Sequence, residues 1–202
     1  MLRLDLQRIL HPILQQGTVM TDATRRRFLR MAGVAVLAPL GRPPSLKHRT
    51  MNTLYIGTYT RDESEGIYRC VFDDETGALE VRGVTGLIEN PSFLAAHPSG
   101  RYLYAVSETT EFEGQPGGGI YAYAVNREGR LAPLNRQPSQ GGAPCYVSVT
   151  PDGNYVLVAN YLGGNVALFP VEADGRLDEA SDVAQHEGSG PNESRQEGPH
   201  AH

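Results

Sequence analysis

An internal repeat of about fifty residues, which begins after residue 50, is the feature that most constrains the fold of this chain. The segments NPSFLAAHPSGRYLYAV (90–106) and APCYVSVTPDGNYVLVA (143–159) share two prolines, a glycine and a tyrosine at an offset of 53 residues. Three further segments share an alternating pattern, a polar turn and a closing Gly-x-Leu, and they span residues 65–79, 118–131 and 164–177. A repeat of nearly constant length indicates one small structural unit that is used several times.

Each repeat predicts four antiparallel strands. Alternation over five to eight positions, with many β-branched and aromatic side chains, is typical of a strand with one buried face. Pro-Ser-Gly and Pro-Asp-Gly are tight-turn sequences that join two such strands. In the second repeat we name the strands A to D, and they cover Pro91–His97, Tyr102–Ser107, Gly119–Asn126 and Leu131–Gln137. Four strands in a repeat of about 40–50 residues predict an all-β fold made of β-propeller blades, with a β-sandwich as the alternative.

The repeat places blades near residues 54–85, 91–138 and 144–185, with the start of a fourth at 199. The first blade lacks strand A, because LYIGTYT (54–60) aligns with strand B. GPHAH (198–202) occupies the place of NPSF and APCY, so it is predicted to begin strand A of the fourth blade. His200 and His202 then lie on one face of that strand. Propellers close with roughly four to eight blades, so we expect a truncated propeller with two open sheet edges.

Composition excludes some classes of function. The formal net charge is −5, and no cluster of Lys or Arg lies beyond residue 50, so no nucleic-acid surface is expected. The two cysteines, Cys70 and Cys145, lie in apolar, strand-like runs and are predicted to be small buried side chains. Their spacing suits neither a disulfide framework nor a cysteine-based metal site. Nothing in the sequence predicts a cofactor or a metal.

Residues 1–50 form a separate N-terminal segment with the pattern of an export signal. TRRRFLRMAGVAVLAPLG (24–41) resembles the twin-arginine signal, in which paired arginines precede Phe-Leu and a short apolar stretch. The apolar stretch Met31–Leu40 is about half of the ~20 residues that a membrane-spanning helix needs, so the segment is interpreted as a signal rather than an anchor. We expect a periplasmic or otherwise exported protein without membrane association after signal removal. Translation from Met51 would instead leave a cytoplasmic protein.

A series of motifs along residues 51–202 carries a family resemblance. In chain order these motifs are LYIGTYT, EGIY, HPSGRYLYAVSE, GGIY, VTPDGNYVLVANYLGGNVALFPV and GPHAH. Together they resemble the lactonase family of seven-bladed β-propellers, which includes 6-phosphogluconolactonase and a fungal muconate cycloisomerase. The resemblance implies that about three of seven blades are present. It also implies metal-free opening of a sugar lactone by water, with 6-phosphogluconolactone as a candidate substrate, in the funnel where the A strands meet.

The resemblance makes His200 a candidate catalytic residue, and His202 is a second candidate because it shares one face of the predicted strand with His200. A histidine at the start of an A strand is a candidate catalytic residue in the family, and His200 matches that position. An imidazole that titrates near neutral pH suits the removal of a proton from water. A His-x-His metal pair would need a third ligand, and none is evident. The arginines and the glutamate proposed to act with this histidine fall in blades that the sequence does not contain.

Three further residues are candidates for substrate binding. Arg195 lies in the loop that leads into GPHAH, where a guanidinium could hold a phosphate or carboxylate through two hydrogen bonds. Asn160 and Tyr161 end strand B of the third blade, where they contribute either to the funnel or to blade packing. Tyr59 and Glu108 end strand B of the first and second blades, and for these we predict roles in packing and turns.

The sequence therefore leads to a lactonase-type hydrolase fragment that acts on a small-molecule lactone. A second hypothesis is a binding or scaffold module, because one fold hosts many functions. A third is that the truncated chain is inactive. Lactone hydrolysis that depends on His200 separates the first hypothesis from the other two.

Overall fold

The structure is a computed structural model, and it describes residues 51–61 and 63–202. The predicted twin-arginine segment lies outside these residues. Within them the chain is all-β and contains no helix, and its thirteen strands form antiparallel sheets. No helix in this part is long and apolar enough to cross a membrane. The predicted fold class is confirmed.

The first sheet has three strands in the order β1-β2-β3, and its strands are β1 (Met51–Ile56), β2 (Gly66–Asp73) and β3 (Leu79–Leu87). The second sheet has the order β4-β5-β8-β9. Its strands are β4 (Leu94–Ala96), β5 (Tyr102–Ser107), β8 (Gly119–Val125) and β9 (Leu131–Pro138), with a small hairpin of β6 (Glu111–Phe112) and β7 (Gln115–Pro116) inserted after β5. The first sheet thus holds strands B, C and D of one blade, and the second sheet is a complete blade.

The third sheet is also complete, with the order β10-β11-β12-β13, and its strands are β10 (Pro144–Val149), β11 (Tyr155–Asn160), β12 (Asn165–Pro170) and β13 (Asp182–Gln185). The turn between strands A and B is the same in both complete blades. Gly100 and Gly153 adopt φ values of 70° and 79°, and their N–H groups donate to His97 and Thr150. Glycine accepts this left-handed conformation without the steric cost of a side chain, which explains its place in both repeats.

Two apolar clusters lie between neighbouring sheets. Between the second and third sheets Tyr104, Val158 and Phe169 are completely buried, and a smaller cluster around Ile67 and Leu103 joins the first and second sheets. Burying a side chain of this size stabilises the fold by about 1.5–3 kcal/mol. Strands B and C of the second blade therefore bury both of their faces, one against the first sheet and one against the third.

A repeated hydrogen bond also joins consecutive blades. The hydroxyl of Tyr55 donates to the carbonyl of Gly129 at 2.8 Å, and the hydroxyl of Tyr104 donates to the carbonyl of Gly175 at 3.1 Å. In each case a tyrosine of strand B meets the glycine of the Gly-x-Leu turn in the next blade. The repeat in the sequence therefore encodes contacts between blades as well as strands within them.

The start of the predicted fourth blade differs from the prediction. Residues 199–202 form no strand, although GPHAH aligns with two A-strand segments. A strand requires backbone hydrogen bonds to a neighbour, and no strand in the described range pairs with this segment. Strand A of the second blade is also shorter than predicted, with three residues, because Asn90 adopts a φ of 45° and His97 belongs to the turn.

Candidate active site

Two positions of the repeat supply the polar side chains where strands A and B meet. The first is the residue that directly follows strand B. Ser107 and Asn160 are the last residues of strand B in the second and third blades, where they pair with Gly119 and Asn165, the first residues of strand C. Glu108 and Tyr161, which follow them, therefore occupy equivalent positions. In the first blade Tyr59 holds the same place.

The second position is the residue after the proline that opens each A-strand segment. In successive repeats this residue is Ser92, Cys145 and His200. The structure brings the two positions together across consecutive repeats, because Tyr161 contacts His200 and the charge of Glu108 acts on Cys145. The repeat therefore builds a row of polar side chains along one end of the blades.

His200 is held by three contacts. Its ring stacks on Tyr161 with a centroid distance of 4.3 Å and an interplanar angle of 12°. Its Nδ1 lies 3.0 Å from the carbonyl oxygen of Tyr161, and its Nε2 lies 3.3 Å from Oε1 of Glu197. A carbonyl oxygen can only accept, so Nδ1 carries the hydrogen of this contact. Nε2 is therefore the nitrogen that can accept or release a proton, and the Glu197 carboxylate lies beside it.

His202 lies on the same side of the chain as His200. Its ring meets Tyr161 edge-on, at a centroid distance of 5.1 Å and an angle of 72°. Both histidine rings therefore contact Tyr161, although the predicted strand that would give them a common face is not formed. His202 is exposed, whereas the His200 side chain is only 15% exposed. The better-positioned imidazole is that of His200.

A second pair of polar groups links the first and second blades. The hydroxyl of Tyr59 donates to Oε2 of Glu108 at 2.9 Å. Burial, followed by the hydrogen bond to Glu108 and the charges of Glu108 and Cys145, raises the pKa of Tyr59 to about 12. Tyr59 is therefore a protonated hydrogen-bond donor at neutral pH.

Asn90 supports this pair from the turn before strand A. Its Oδ1 accepts a hydrogen bond from the backbone N–H of Thr60 at 3.0 Å, and its Nδ2 donates to the carbonyl of Glu108 at 3.4 Å. These bonds tie together the loops that carry Tyr59 and Glu108. The pair is thus held by the backbone of two blades.

Cys145 is a free thiol beside this row of groups. Its Sγ donates weakly to the carbonyl of Ala201 at 3.4 Å, which ties residues 199–202 to the third blade. Burial, and then the negative charge of Glu108, raise the pKa of the Cys145 thiol. Because the thiolate is the reactive form, this cysteine is not an activated nucleophile at neutral pH.

Asn160 lies inside the third blade rather than at a surface. It is completely buried, and its Nδ2 donates to the carbonyl of Ser139 and to Oδ1 of Asn165, both at 2.7 Å. Its Oδ1 has no hydrogen-bond partner among the described residues. Since both donors are used within the blade, we do not place Asn160 among the groups that contact a ligand. It holds the loop before β10 against the end of β11.

Arg195 lies in a compact loop before GPHAH, where its side chain is exposed. The backbone N–H groups of Arg195 and Gln196 donate to the carbonyl of Asn192, at 3.1 and 2.7 Å. The carbonyl of Gln196 in turn accepts from Gly190. The loop therefore carries Arg195 and Glu197 on one short folded segment and places Glu197 against His200.

A groove of about 410 Å³ opens beside Leu162. No ionisable side chain lines it, and its walls are formed by Thr110, Pro116, Gly117, Pro138, Gln140, Gly141, Gly142 and Leu162. Such a groove can hold a small polar molecule through backbone groups and apolar contacts but offers no acid or base. Within the described residues no three His, Cys, Asp or Glu side chains come together as a possible metal site.

Sequence reasoning missed the most direct partner of His200. This partner is Glu197, whose spacing of three residues from His200 is visible in the sequence. The Tyr59–Glu108 pair was also assigned to packing. Aligning the residues that follow strand B in each repeat, and those that follow the opening proline of strand A, would have indicated both sets of polar groups.

Four-stranded antiparallel blades that pack face to face, with polar side chains collected at the ends of strands A and B, define a β-propeller with a candidate site at its funnel. The chain belongs to the lactonase family, because the family model described as "Lactonase, 7-bladed beta-propeller" matches residues 53–202.

Relatives with known names agree with this assignment. The chain is 41% identical over 149 residues to 6-phosphogluconolactonase of Bacillus subtilis, with 73% of this chain and 41% of the relative covered. A solved structure of a candidate 6-phosphogluconolactonase from Bacteroides fragilis is 36% identical, with a TM-score of 0.69 and coverage of 78% and 42%. The periplasmic gluconolactonase of Pseudomonas aeruginosa is 32% identical, with a TM-score of 0.60 and coverage of 70% and 41%.

The chain spans about two fifths of the length of these relatives, with 41% of the Bacillus subtilis protein and 42% of the Bacteroides fragilis structure covered. This share agrees with three blades of seven.

Proposed function

We propose that this chain is part of a hydrolase that opens a sugar lactone, with His200 as the base that activates water. The observation that carries the proposal is the arrangement of His200, whose Nδ1 is fixed by the Tyr161 carbonyl while Nε2 lies 3.3 Å from Glu197. A histidine base whose Nδ1–H is oriented by a hydrogen bond, with Nε2 left to take the proton, is a recurring arrangement in acyl transfer.

The proposed reaction uses one water molecule. Nε2 of His200 accepts a proton as the water oxygen forms a bond to the lactone carbonyl carbon. The bond between this carbon and the ring oxygen then breaks, and the imidazolium returns the proton to the leaving oxygen. The product is the open hydroxy acid, and the histidine is regenerated.

The other polar groups suit a sugar as the substrate. Tyr59 remains a donor below its pKa of about 12, and the Glu108 carboxylate can accept hydrogen bonds from sugar hydroxyls. The exposed guanidinium of Arg195 could bind the anionic group of a phosphorylated lactone. The name of the Bacillus subtilis relative supports 6-phosphogluconolactone as the first substrate to test.

Export forms a further part of the proposal. The twin arginines in residues 24–41 support transport of the folded protein across the bacterial inner membrane. The description of the Pseudomonas aeruginosa relative as periplasmic supports the same location. The lactone would then be opened outside the cytoplasm.

The test is hydrolysis of 6-phosphogluconolactone and of unphosphorylated gluconolactone by the purified chain, corrected for spontaneous opening. We expect His200→Ala to lower kcat by at least about 100-fold, the usual contribution of a general base. Exposed His202 serves as the matched control, and His202→Ala should retain most activity. Equal rates for wild type and His200→Ala contradict the catalytic role.

The binding-module hypothesis has its own outcome in the same experiment. Lactone binding measured by calorimetry, without turnover by the wild-type chain, would favour a binding module over a hydrolase.

A further inference from the structure

The loop between β11 and β12 is fixed by its own backbone. Each of its residues, Tyr161 to Gly164, donates its N–H group to a carbonyl of the third blade or of the loop before that blade. The acceptors are the carbonyl oxygens of Ala143, Gly142 and Asn160, at 2.9–3.1 Å. Four consecutive backbone groups bonded in this way make the 161–164 loop a rigid support, and its first carbonyl is the one that accepts from Nδ1 of His200.

A glycine of this loop lets the segment that carries His200 approach closely. Gly164 has a φ of 61°, and a Cβ at this position would lie 2.5 Å from the carbonyl oxygen of Pro199. Gly118 holds the equivalent place before strand C of the second blade, where a Cβ would overlap Pro144. The same close approach of a glycine and a proline therefore recurs in two consecutive repeats. It places Pro199, and His200 directly after it, by the contact that also places Pro144 at the start of β10.

The stack of Tyr161 on His200, by contrast, belongs to one repeat only. In the two earlier repeats the equivalent pairs are Tyr59 with Ser92 and Glu108 with Cys145, and neither pair contains two rings. A contact that the blade itself required would recur in the sister repeats, as the contact between glycine and proline does. The stacked pair therefore serves the imidazole rather than the blade.

We propose that Tyr161 is the positioning residue of the His200 base: its carbonyl fixes the tautomer, and its ring fixes the plane of the imidazole. The proposal rests on the function proposed above for the role of His200 as a base. It replaces the substrate-binding role expected for Tyr161, because the Tyr161 ring is in contact with His200 and His202.

The two contacts of Tyr161 with His200 complement each other. A hydrogen bond from Nδ1 alone leaves the imidazole able to tilt about that bond. The stacked rings, 4.3 Å apart between centroids and inclined by 12°, oppose this tilt, because tilting would separate the two faces. Nε2 is thereby held in one orientation. A base that is already oriented requires less loss of freedom to reach the geometry of attack.

The first test is an NMR measurement on the full-length chain with isotope-labelled histidine, in which His200→Ala identifies the His200 signals. A stacked ring displaces the carbon-bound imidazole protons through its ring current. We expect Tyr161→Leu to remove this displacement and Tyr161→Phe to retain it. The matched control is Tyr155→Leu, at the opposite end of β11, where the tyrosine is 41% exposed. His200 signals that Tyr161→Leu leaves in place overturn the proposal.

The second test separates positioning from substrate binding by lactone kinetics. We expect Tyr161→Leu to lower kcat by about 10- to 100-fold with KM nearly unchanged, since a misplacement of about 1 Å can cost 100-fold. Tyr161→Phe keeps the ring and the carbonyl and should recover the turnover. A raised KM with kcat intact would assign Tyr161 to the substrate and overturn the positioning role.

Failure of the reaction and failure of the positioning role give different results. If His200→Ala leaves turnover unchanged, or the chain has no turnover, the hydrolase proposal is contradicted. The NMR signals of His200 then decide by themselves whether Tyr161 orients its ring.

The third test displaces the segment without changing Tyr161. Gly164→Ala adds a methyl group against Pro199, whereas Gly77→Ala adds one at a φ of 70° with no atom within 4 Å. Both substitutions carry the backbone strain of a left-handed residue, so Gly77→Ala is the matched control. Only Gly164→Ala should shift the His200 signals. Unchanged His200 signals in a folded Gly164→Ala protein would show that the 161–164 loop does not position the base.

Discussion

At the scale of single residues, the chemistry of this chain depends on which atoms of a side chain already make hydrogen bonds within the protein. Nδ1 of His200 is taken by a backbone carbonyl, so proton transfer falls to Nε2 beside Glu197. The Cys145 thiol, by contrast, has a raised pKa and a carbonyl acceptor, so it holds structure rather than attacking a substrate. Two positions that are equivalent in the repeat thus carry different chemistry.

The raised pKa of Tyr59 gives a pH-dependent prediction for Tyr59→Phe. The tyrosine pKa is about 12 in the folded protein and about 10 in the unfolded chain, so folding favours the protonated hydroxyl. This contribution to stability is fully present below pH 10 and is lost as the pH rises towards 12. Denaturant unfolding at pH 8 and at pH 11 measures it. The wild type should lose more stability between these pH values than Tyr59→Phe, and equal losses would contradict the shift.

At the scale of the structural element, the blade is held by short-range backbone pairing and joined to its neighbour by a few repeated side-chain contacts. Tyr55 and Tyr104 each donate to a turn carbonyl of the next blade, and Phe169 fills the space between the second and third blades. The third blade also depends on buried Asn160, which ties the loop before β10 to the end of β11.

The role of Asn160 predicts a defect in stability rather than in ligand binding. Asn160→Ala removes two buried hydrogen bonds and should destabilise the chain by about 1–3 kcal/mol. Exposed Asn154 in the turn before β11 gives the matched control, and Asn154→Ala should cost clearly less. Chemical unfolding measures both variants. A stable Asn160→Ala protein with weakened lactone binding would instead return Asn160 to the binding site.

At the scale of the whole molecule, the chain combines an N-terminal segment for which we propose a role in export with three propeller blades. Within the described range, the outer edge of β1 and residues 198–202 pair with no strand. The proposed twin-arginine route would carry a protein whose strands are already paired, and unpaired strands are prone to aggregate.

The export proposal predicts the effect of changing the paired arginines. Replacing Arg25 and Arg26 together by lysine should remove the protein from the periplasmic fraction of a bacterial host, because this pair defines the signal. Arg27→Lys changes a neighbouring arginine outside the pair and should leave export intact. Immunoblots of separated periplasm and cytoplasm give the measurement. Periplasmic protein at wild-type levels in the double variant would exclude this route.

The sequence predicted the fold well because the signals for a blade are local. Period-two alternation and Pro-x-Gly turns act over four to eight residues, and they repeat at a fixed spacing. Positive φ values at Asn90 and Ala143, however, were not predicted, because neither residue is a glycine. These turns follow from the path that the chain must take into strand A between two packed blades.

By itself, the sequence determined most of the strands and their order in each blade, but not the strand expected at GPHAH. Only the tertiary structure decided which groups meet. The carbonyl of Tyr161 lies 39 residues from His200 along the chain, and Tyr59 lies 49 residues from Glu108. Such contacts depend on the angle and distance between packed blades. Side-chain packing sets both quantities, and no local sequence pattern encodes them. The sequence therefore placed His200 in the chain, and the packing of blades gave its two nitrogens different roles.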